Sequence, residues 1–181
     1  MATLLSLVDH TKTDKESRHN YLTVYEKLFS PIKETVKTVL EIGIDKGGSI
    51  ELWRQYFLQA EITGIELQPD TVFLQEDRLH LSFNTNAYTM QTVDSLQGSF
   101  DILIDDGSHI LQDLLFVLQV YSCKLTKTGI LILEDICCDS WRQALLQATP
   151  VTFTGEFIDC RDFNGNYDSV LYIVKRKIYP E

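Results

Sequence analysis

The sequence predicts an α/β fold: a mostly parallel sheet with helices on both faces. Three observations carry that prediction. Short apolar runs alternate along the chain with segments of helical periodicity. Each run is continuous rather than alternating, as in a strand covered on both sides. Nearly every run ends in an acidic or amide side chain, at the edge where such sheets bind ligands.

Taken in order, residues 14–29 (DKESRHNYLTVYEKLF) read as one amphipathic helix. Tyr21, Leu22, Tyr25, Leu28 and Phe29 share a face, and Pro31 closes it. Residues 38–42 (TVLEI) form a buried strand. Gly43, Gly47 and Gly48 follow, then a helix from Ser49 to about Leu58. Further strands are expected at 61–66, 79–83, 100–105 and 129–134. The intervening helices are a short one opened by Pro69, then 87–96, 110–125 and 139–148. Two more β segments near 151–158 and 169–176 complete the sheet. The strand tips are then Glu41, Glu66, Asn84 to Asn86, Asp105 with Asp106, and Glu134 with Asp135.

A length of 181 residues fits one domain. It divides into an N-terminal helical cover, 1–35, and a core, 36–181. The net charge of −10 and the scattered lysines and arginines leave no basic face for a phosphate backbone, so no nucleic acid partner is expected. No apolar run approaches the ~20 residues needed to span a bilayer. The start, MATLLSLVDHTKTDK, lacks the basic opening of a signal peptide, so a cytoplasmic protein without a membrane partner is expected. Cys123, Cys137, Cys138 and Cys160 form no C-x-x-C pair, which reads as reduced thiols and not as a zinc site.

Three motifs carry chemistry. The first strand runs into EIGIDKGGS, with Glu41 where a pyrophosphate-binding loop has none. A carboxylate there repels pyrophosphate but accepts a bond from an ammonium group; the plain alternative is a strand-to-helix turn. Glu66 ends the second strand about 20 residues on, where an acidic group can accept both ribose hydroxyls or simply face solvent. The third motif is FDILIDDGSHI. Asp106 or Ser108 can cap a helix starting at Ile110. Alternatively, Asp106 joins Glu134 and Asp135 around a hard cation. His109 is either a proton acceptor or a structural hydrogen-bonding group. Asp105 can bind a cofactor, orient His109 or cap the helix. A two-histidine iron site lacks a second rim histidine, since His80 lies in a strand and His10 near the terminus.

VLEIGIDKGGS, ITGIEL, FDILIDDGSH and LTKTGILILEDI together resemble the class I S-adenosylmethionine-dependent methyltransferases. The DDGSH stretch combined with an ED pair is more specifically similar to the metal-dependent sugar O-methyltransferases of macrolide deoxysugars and rhamnosyl glycans. So is the N-terminal pattern of Thr13, Asp14, Lys15, His19, Tyr21 and Tyr25. The resemblance implies a Rossmann-like, seven-stranded sheet whose last strand is antiparallel. It implies S-adenosylmethionine as cofactor, with Glu41, Gly43 and Gly47 on the methionine side and Glu66 on the ribose. Asn86 and Ala87 would lie by the adenine, Asn86 standing where relatives often carry Asp. Asp105, Lys15, His19 and Tyr21 would also border the cofactor. Asp106, Glu134 and Asp135 would hold Mg²⁺ (or Mn²⁺ or Ca²⁺), and His109 would act as base beside Asp106.

The expected reaction is methyl transfer to a sugar hydroxyl, as on a rhamnose-type residue of a glycan or glycoside. The alternatives are a catechol-type methyltransferase and a non-catalytic nucleoside-binding partner of a glycosyltransferase. With little sequence for an acceptor lid, the sugar pocket should be open, or completed by a second subunit of a homo-oligomer.

Overall fold

The structure is a computed structural model and describes residues 2–69, 76–163 and 165–177. A short helix α1 (Leu4–Leu7) and a longer α2 (Tyr21–Phe29) precede β1 (Thr38–Ile42) and α3 (Gly48–Tyr56). There follow β2 (Glu61–Ile65), β3 (Leu79–Ser82), α4 (Met90–Ser95), β4 (Phe100–Asp105) and α5 (Leu111–Val120). The chain ends with β5 (Leu125–Leu133), α6 (Trp141–Ala148), β6 (Phe153–Asp159) and β7 (Val170–Arg176). The expected helix after Pro69 lies outside the described residues.

The seven strands form one sheet in the order β3-β2-β1-β4-β5-β7-β6. Strands β1 to β5 run parallel, and β7 is antiparallel to both neighbours, as the resemblance implied. The order reverses between β1 and β4, the switch point at which open α/β sheets bind ligands. The register decides which residues meet there. Ile65, Ile42, Asp105 and Leu133 stand in one row across four strands. The ladder continues one step further: Gly43 N–H donates to Ile65 O, Asp106 N–H to Ile42 O and Glu134 N–H to Asp105 O, at 2.9, 2.8 and 3.0 Å. With neighbouring strands ~4.8 Å apart, Glu66, Gly43, Asp106 and Glu134 therefore form a single rim.

Two segments differ from the sequence reading. The helix expected over 14–29 begins only at Tyr21, because Asn20 adopts φ 56° in the left-handed region and residues 15–19 form turns. Within these turns Lys15 is 1% exposed. The expected 110–125 helix gives way at Tyr121 to a 3₁₀ turn, and β5 starts at Leu125, earlier than position 129.

Helix α2 buries Tyr21, Leu22, Tyr25 and Phe29, one stripe of a 3.6-residue period. Tyr25 stacks on Phe29 at 5.2 Å and meets the edge of Trp53 from α3 at 5.6 Å. Burial of each such ring stabilises by roughly 1.5–3 kcal/mol. This aromatic cluster fixes α2 over the sheet, so the Tyr21 and Tyr25 hydroxyls project beyond the β5 tip.

Candidate active site

One cavity of about 750 Å³ opens at the switch point. Its wall runs from Gly43, Ile44 and Asp45 past Glu66 to Asn86, Ala87 and Tyr88, and ends at Asp106, His109 and Asp135. Lys12, Thr13, Asp14 and Arg18 border it from the N-terminal segment. The size suits a nucleoside-bearing ligand.

At one end, Glu66 accepts backbone N–H bonds from Ile44 (2.9 Å), Asp45 (3.2 Å) and Gln68 (2.8 Å). Burial raises its pKa, but these donors lower it more, so the carboxylate stays ionised. It retains lone pairs for hydroxyl donors. Asn86 Oδ1 accepts the Tyr88 N–H at 2.9 Å, which fixes the amide orientation and leaves Nδ2 and a second lone pair for a ligand.

At the other end, Asp106 and Asp135 each divide their two oxygens. Asp106 Oδ2 takes Lys15 Nζ at 2.6 Å, while Oδ1 lies 3.8 Å from His109 Nε2. Asp135 Oδ1 accepts the Tyr21 hydroxyl at 2.6 Å and lies 3.4 Å from His19 Nδ1, while Oδ2 is 4.0 Å from His109 Nδ1. Asp106, His109 and Asp135 thus present donor atoms within 4.8 Å of one another, all half-buried. His109 and Asp135 both hold left-handed backbone, φ 51° and 55°, a conformation that persists only where the surroundings impose it. His109 Nδ1 is buried without a hydrogen-bond partner. Oxygen-rich donors around a gap, one flanked by an unsatisfied imidazole, suit a hard divalent cation with water completing its shell.

Burial and the neighbouring Asp106 raise the pKa of Asp135, and they raise that of Glu134 strongly. Lys15 is 1% exposed, and Nζ lies 2.6 Å from Glu134 Oε1 and 3.4 Å from Glu41 Oε1. Burial alone would depress its pKa; Asp106, Glu134 and Glu41 together push it well above the ordinary lysine value, so it remains an ammonium.

Several expectations are corrected. Glu41 does not face the cavity. It is fully buried, with Oε2 held by Ser49 Oγ (2.8 Å) and Trp53 Nε1 (3.0 Å), and the ammonium it meets belongs to Lys15. Lys15, His19 and Tyr21 lie behind the carboxylates and not along the cavity wall. Glu134 Oε1 accepts from Lys15 and from the Tyr25 hydroxyl at 2.5 Å. Gly47 caps α3 at φ 77° and leaves the wall to Gly43. Gly43 itself is required because a Cβ would collide with Asp106 O, so the β1 and β4 loops pack backbone to backbone. Asp105 is buried under the Tyr88 hydroxyl at 2.9 Å and touches neither the cavity nor His109. Neither Asp106 nor Ser108 caps α5, whose N-cap Ile110 has no side-chain bond; Ser108 Oγ donates to Asp113 at 2.6 Å. His19 is a second histidine near Asp135, but Nδ1 pairs with Ser169 Oγ at 2.9 Å, and no two-histidine iron set forms among the described residues.

The sequence reading missed Tyr88. Its hydroxyl also accepts the Ser108 N–H at 2.9 Å and so ties the Asn86–Tyr88 wall of the cavity to the loop after β4.

No protein-family model matches the chain. An 8-demethyl-8-alpha-L-rhamnosyl tetracenomycin-C 2'-O-methyltransferase of Streptomyces olivaceus is 28% identical over 138 residues, 71% of this chain and 36% of that protein. The 3'-O-methyltransferase acting on the 2-methoxy-rhamnosyl compound of the same organism is 32% identical over 127 residues, 65% of this chain and 32% of that protein. The chain thus spans about a third of the length of these relatives. The MycE methyltransferase of the mycinamycin pathway, solved with Mg, SAH and mycinamycin VI, superposes with a TM-score of 0.71 at 19% identity, over 88% of this chain and 49% of that one. The chain has the Rossmann-like class I methyltransferase fold, and the two Streptomyces relatives it resembles are sugar O-methyltransferases.

Proposed function

We propose that this chain carries the catalytic core of an S-adenosylmethionine-dependent, divalent-metal-assisted sugar O-methyltransferase. The observation that carries the proposal is a single cavity with Glu66 and Asn86 at one end and the Asp106–His109–Asp135 group at the other. The relatives, which methylate rhamnosyl hydroxyls, support the acceptor class. A chain of 1–181 acting as one domain, with 1–35 covering the core, agrees with the buried contacts of α1 and α2 in the main core cluster.

Glu66 accepts the ribose hydroxyls, and Asn86 with Ala87 borders the adenine. Gly43 lies between Glu66 and Asp106 on the rim, where the methionine part would pass. Asp106 and Asp135, with Glu134 beside them, would hold the metal, Mg²⁺ by the hardness of its donors. When bound, such an ion lowers the pKa of a coordinated hydroxyl and orients it. His109 accepts the hydroxyl proton at Nε2, while its Nδ1 lies 4.0 Å from Asp135 Oδ2. Tyr21 holds Asp135, and Tyr25 with Lys15 holds Glu134. Alignment of methyl and oxygen supplies the rest of the acceleration.

Calorimetry with S-adenosylhomocysteine tests the nucleoside end. Methyl transfer to a rhamnosyl glycoside and to a catechol, with and without EDTA, tests the acceptor and the metal. Sugar methylation lost in EDTA is expected. Full activity in EDTA removes the metal, and methylation of the catechol alone replaces the sugar. Product binding without transfer to any acceptor leaves the non-catalytic reading.

A further inference from the structure

Lys12, Thr13 and Asp14 line the cavity, and one glycine decides how close this segment comes to the first turn of α3. A Cβ on Gly48 would stand 2.6 Å from Lys12 C and O and 2.8 Å from Lys12 Cβ. Gly48 is not among the glycines with left-handed backbone, so its missing side chain serves this approach. Asp9 shapes the turn before it. Its Oδ1 accepts from the Thr11 N–H at 3.0 Å and the Thr11 hydroxyl at 2.7 Å. Its carbonyl accepts from the N–H groups of Lys12 and Thr13 at 3.0 and 3.3 Å.

The charges of the cavity give this segment a task. Among the described residues five carboxylates line it, against Lys12, Arg18 and His109. That balance attracts a sulfonium and an ammonium, and it repels the carboxylate that accompanies them in S-adenosylmethionine. Arg18 already has Asp168 at 3.2 Å and Asp14 at 3.8 Å. Lys12 Nζ has Asp9 Oδ2 at 4.0 Å, too far for a hydrogen bond, and its side chain is 54% exposed. It can turn to an anion without giving up a hydrogen bond to Asp9.

We propose that Lys12 pairs with the amino-acid carboxylate of the cofactor, and that Gly48 is the positioning residue that lets Lys12 reach it. The proposal rests on the S-adenosylmethionine reading above and supplies the partner of its anionic end. The glycines of the EIGIDKGGS stretch then have separate tasks. Gly43 admits the β4 loop, Gly47 caps α3, and Gly48 admits the segment that carries Lys12.

Calorimetry with two compounds isolates the contact. 5′-Methylthioadenosine shares the nucleoside and thioether of S-adenosylhomocysteine but lacks the amino-acid end. The natural sequence should bind S-adenosylhomocysteine more tightly. Lys12→Met keeps most of the stem and removes the charge. It should weaken S-adenosylhomocysteine by about 5–20-fold, between an exposed ion pair and a charged hydrogen bond. Its affinity for methylthioadenosine should stay within about twofold. Lys12→Arg should restore most of the loss. Alanine suits a helical turn, so the cost of Gly48→Ala falls on the segment it displaces. That variant should repeat the Lys12→Met pattern with the lysine still present. Unchanged S-adenosylhomocysteine affinity in Lys12→Met overturns the proposal, and so do equal losses for the two compounds. Natural affinities in Gly48→Ala overturn the positioning role. A natural sequence that binds both compounds equally overturns the proposal and leaves the nucleoside end standing, whereas one that binds neither removes the cofactor reading as well.

Discussion

The Tyr88 hydroxyl occupies the space that a Cβ on Gly107 would need. From there it donates to Asp105 Oδ1 and accepts the Ser108 N–H, each at 2.9 Å. The glycine of the DDGSH stretch is therefore explained by a side chain 19 positions earlier, and not by its own backbone angles. Gly107→Ala should be strongly destabilising, since the methyl displaces a hydroxyl that satisfies two buried groups. Tyr88→Phe leaves the Ser108 N–H and Asp105 without that partner, at a cost of about 1–3 kcal/mol. The two changes should not add. Once the hydroxyl is gone the alanine methyl meets less, so the double variant should be more stable than the sum by roughly 0.5–3 kcal/mol. Urea unfolding of the four proteins measures this, and strict additivity would show that hydroxyl and glycine are independent.

Asp105 is 2% exposed, and its pKa is raised to about 7. Burial is the main cause, partly offset by the Tyr88 bond and reinforced by the charge of Asp106. The folded chain thus holds a proton that the unfolded chain, with an Asp near 3.8, releases. Between these values the native state binds more protons, so stability falls as pH rises, by about 4 kcal/mol in total as an order of magnitude. Asp105→Asn keeps an acceptor for Tyr88 and removes the titration. Its stability should therefore change less from pH 4 to 7, with a residual slope from Glu41, also raised to about 7, and from Glu134 and Asp135, which burial and Asp106 raise as well. Denaturant midpoints across that range test the claim, and parallel curves for both proteins would contradict it.

The central strands and their tips were legible because β1, β4 and β5 are largely apolar up to a polar tip, whereas β3 and β6 alternate. A parallel register then does the rest, setting Glu66, Asp106 and Glu134 on one rim. The N-terminal segment was not legible in the same way. A helical period over 14–29 hides the left-handed Asn20, and it makes Lys15 look like a solvated end. Lys15 is buried because of Asp106 and Glu134, 91 and 119 positions away, and no local pattern reports such a partner. A signal did exist in Tyr21 and Tyr25: hydroxyls on the buried face of an amphipathic helix require polar partners inside. Tyr88 carried no comparable sign, since its bonds depend on how two loops approach.

Glu66 accepts three backbone N–H bonds from two loops and lines the cavity, where it is proposed to meet the ribose. Glu66→Gln keeps the shape but turns one oxygen into a donor, which then faces donors. S-adenosylhomocysteine should bind about 10–100-fold more weakly, the range for losing a charged hydrogen bond to a ligand. The change should leave Mn²⁺ affinity unaltered, because Glu66 is not part of the Asp106–His109–Asp135 group. Calorimetry with each ligand separates the two effects, and unchanged nucleoside affinity would remove Glu66 from the site.

His109 has left-handed backbone, which Asn tolerates better than other replacements, so His109→Asn isolates the imidazole from the strain. If the imidazole takes the acceptor's proton, kcat should fall by about 10²–10⁴-fold. The Kd for S-adenosylhomocysteine should stay within about twofold, since the nucleoside contacts proposed above lie at the far end of the cavity. The limb of the pH–rate profile that reports protonation of the base should disappear. A purely structural His109 would behave differently: its loss would lower the melting temperature and weaken nucleoside and metal binding together, leaving the shape of the profile intact. The imidazole packs between Asp106 Oδ1 and Asp135 Oδ2 without a hydrogen bond to either, so its removal costs the fold little. Rates measured across pH on a protein of unchanged melting temperature therefore decide between the two roles.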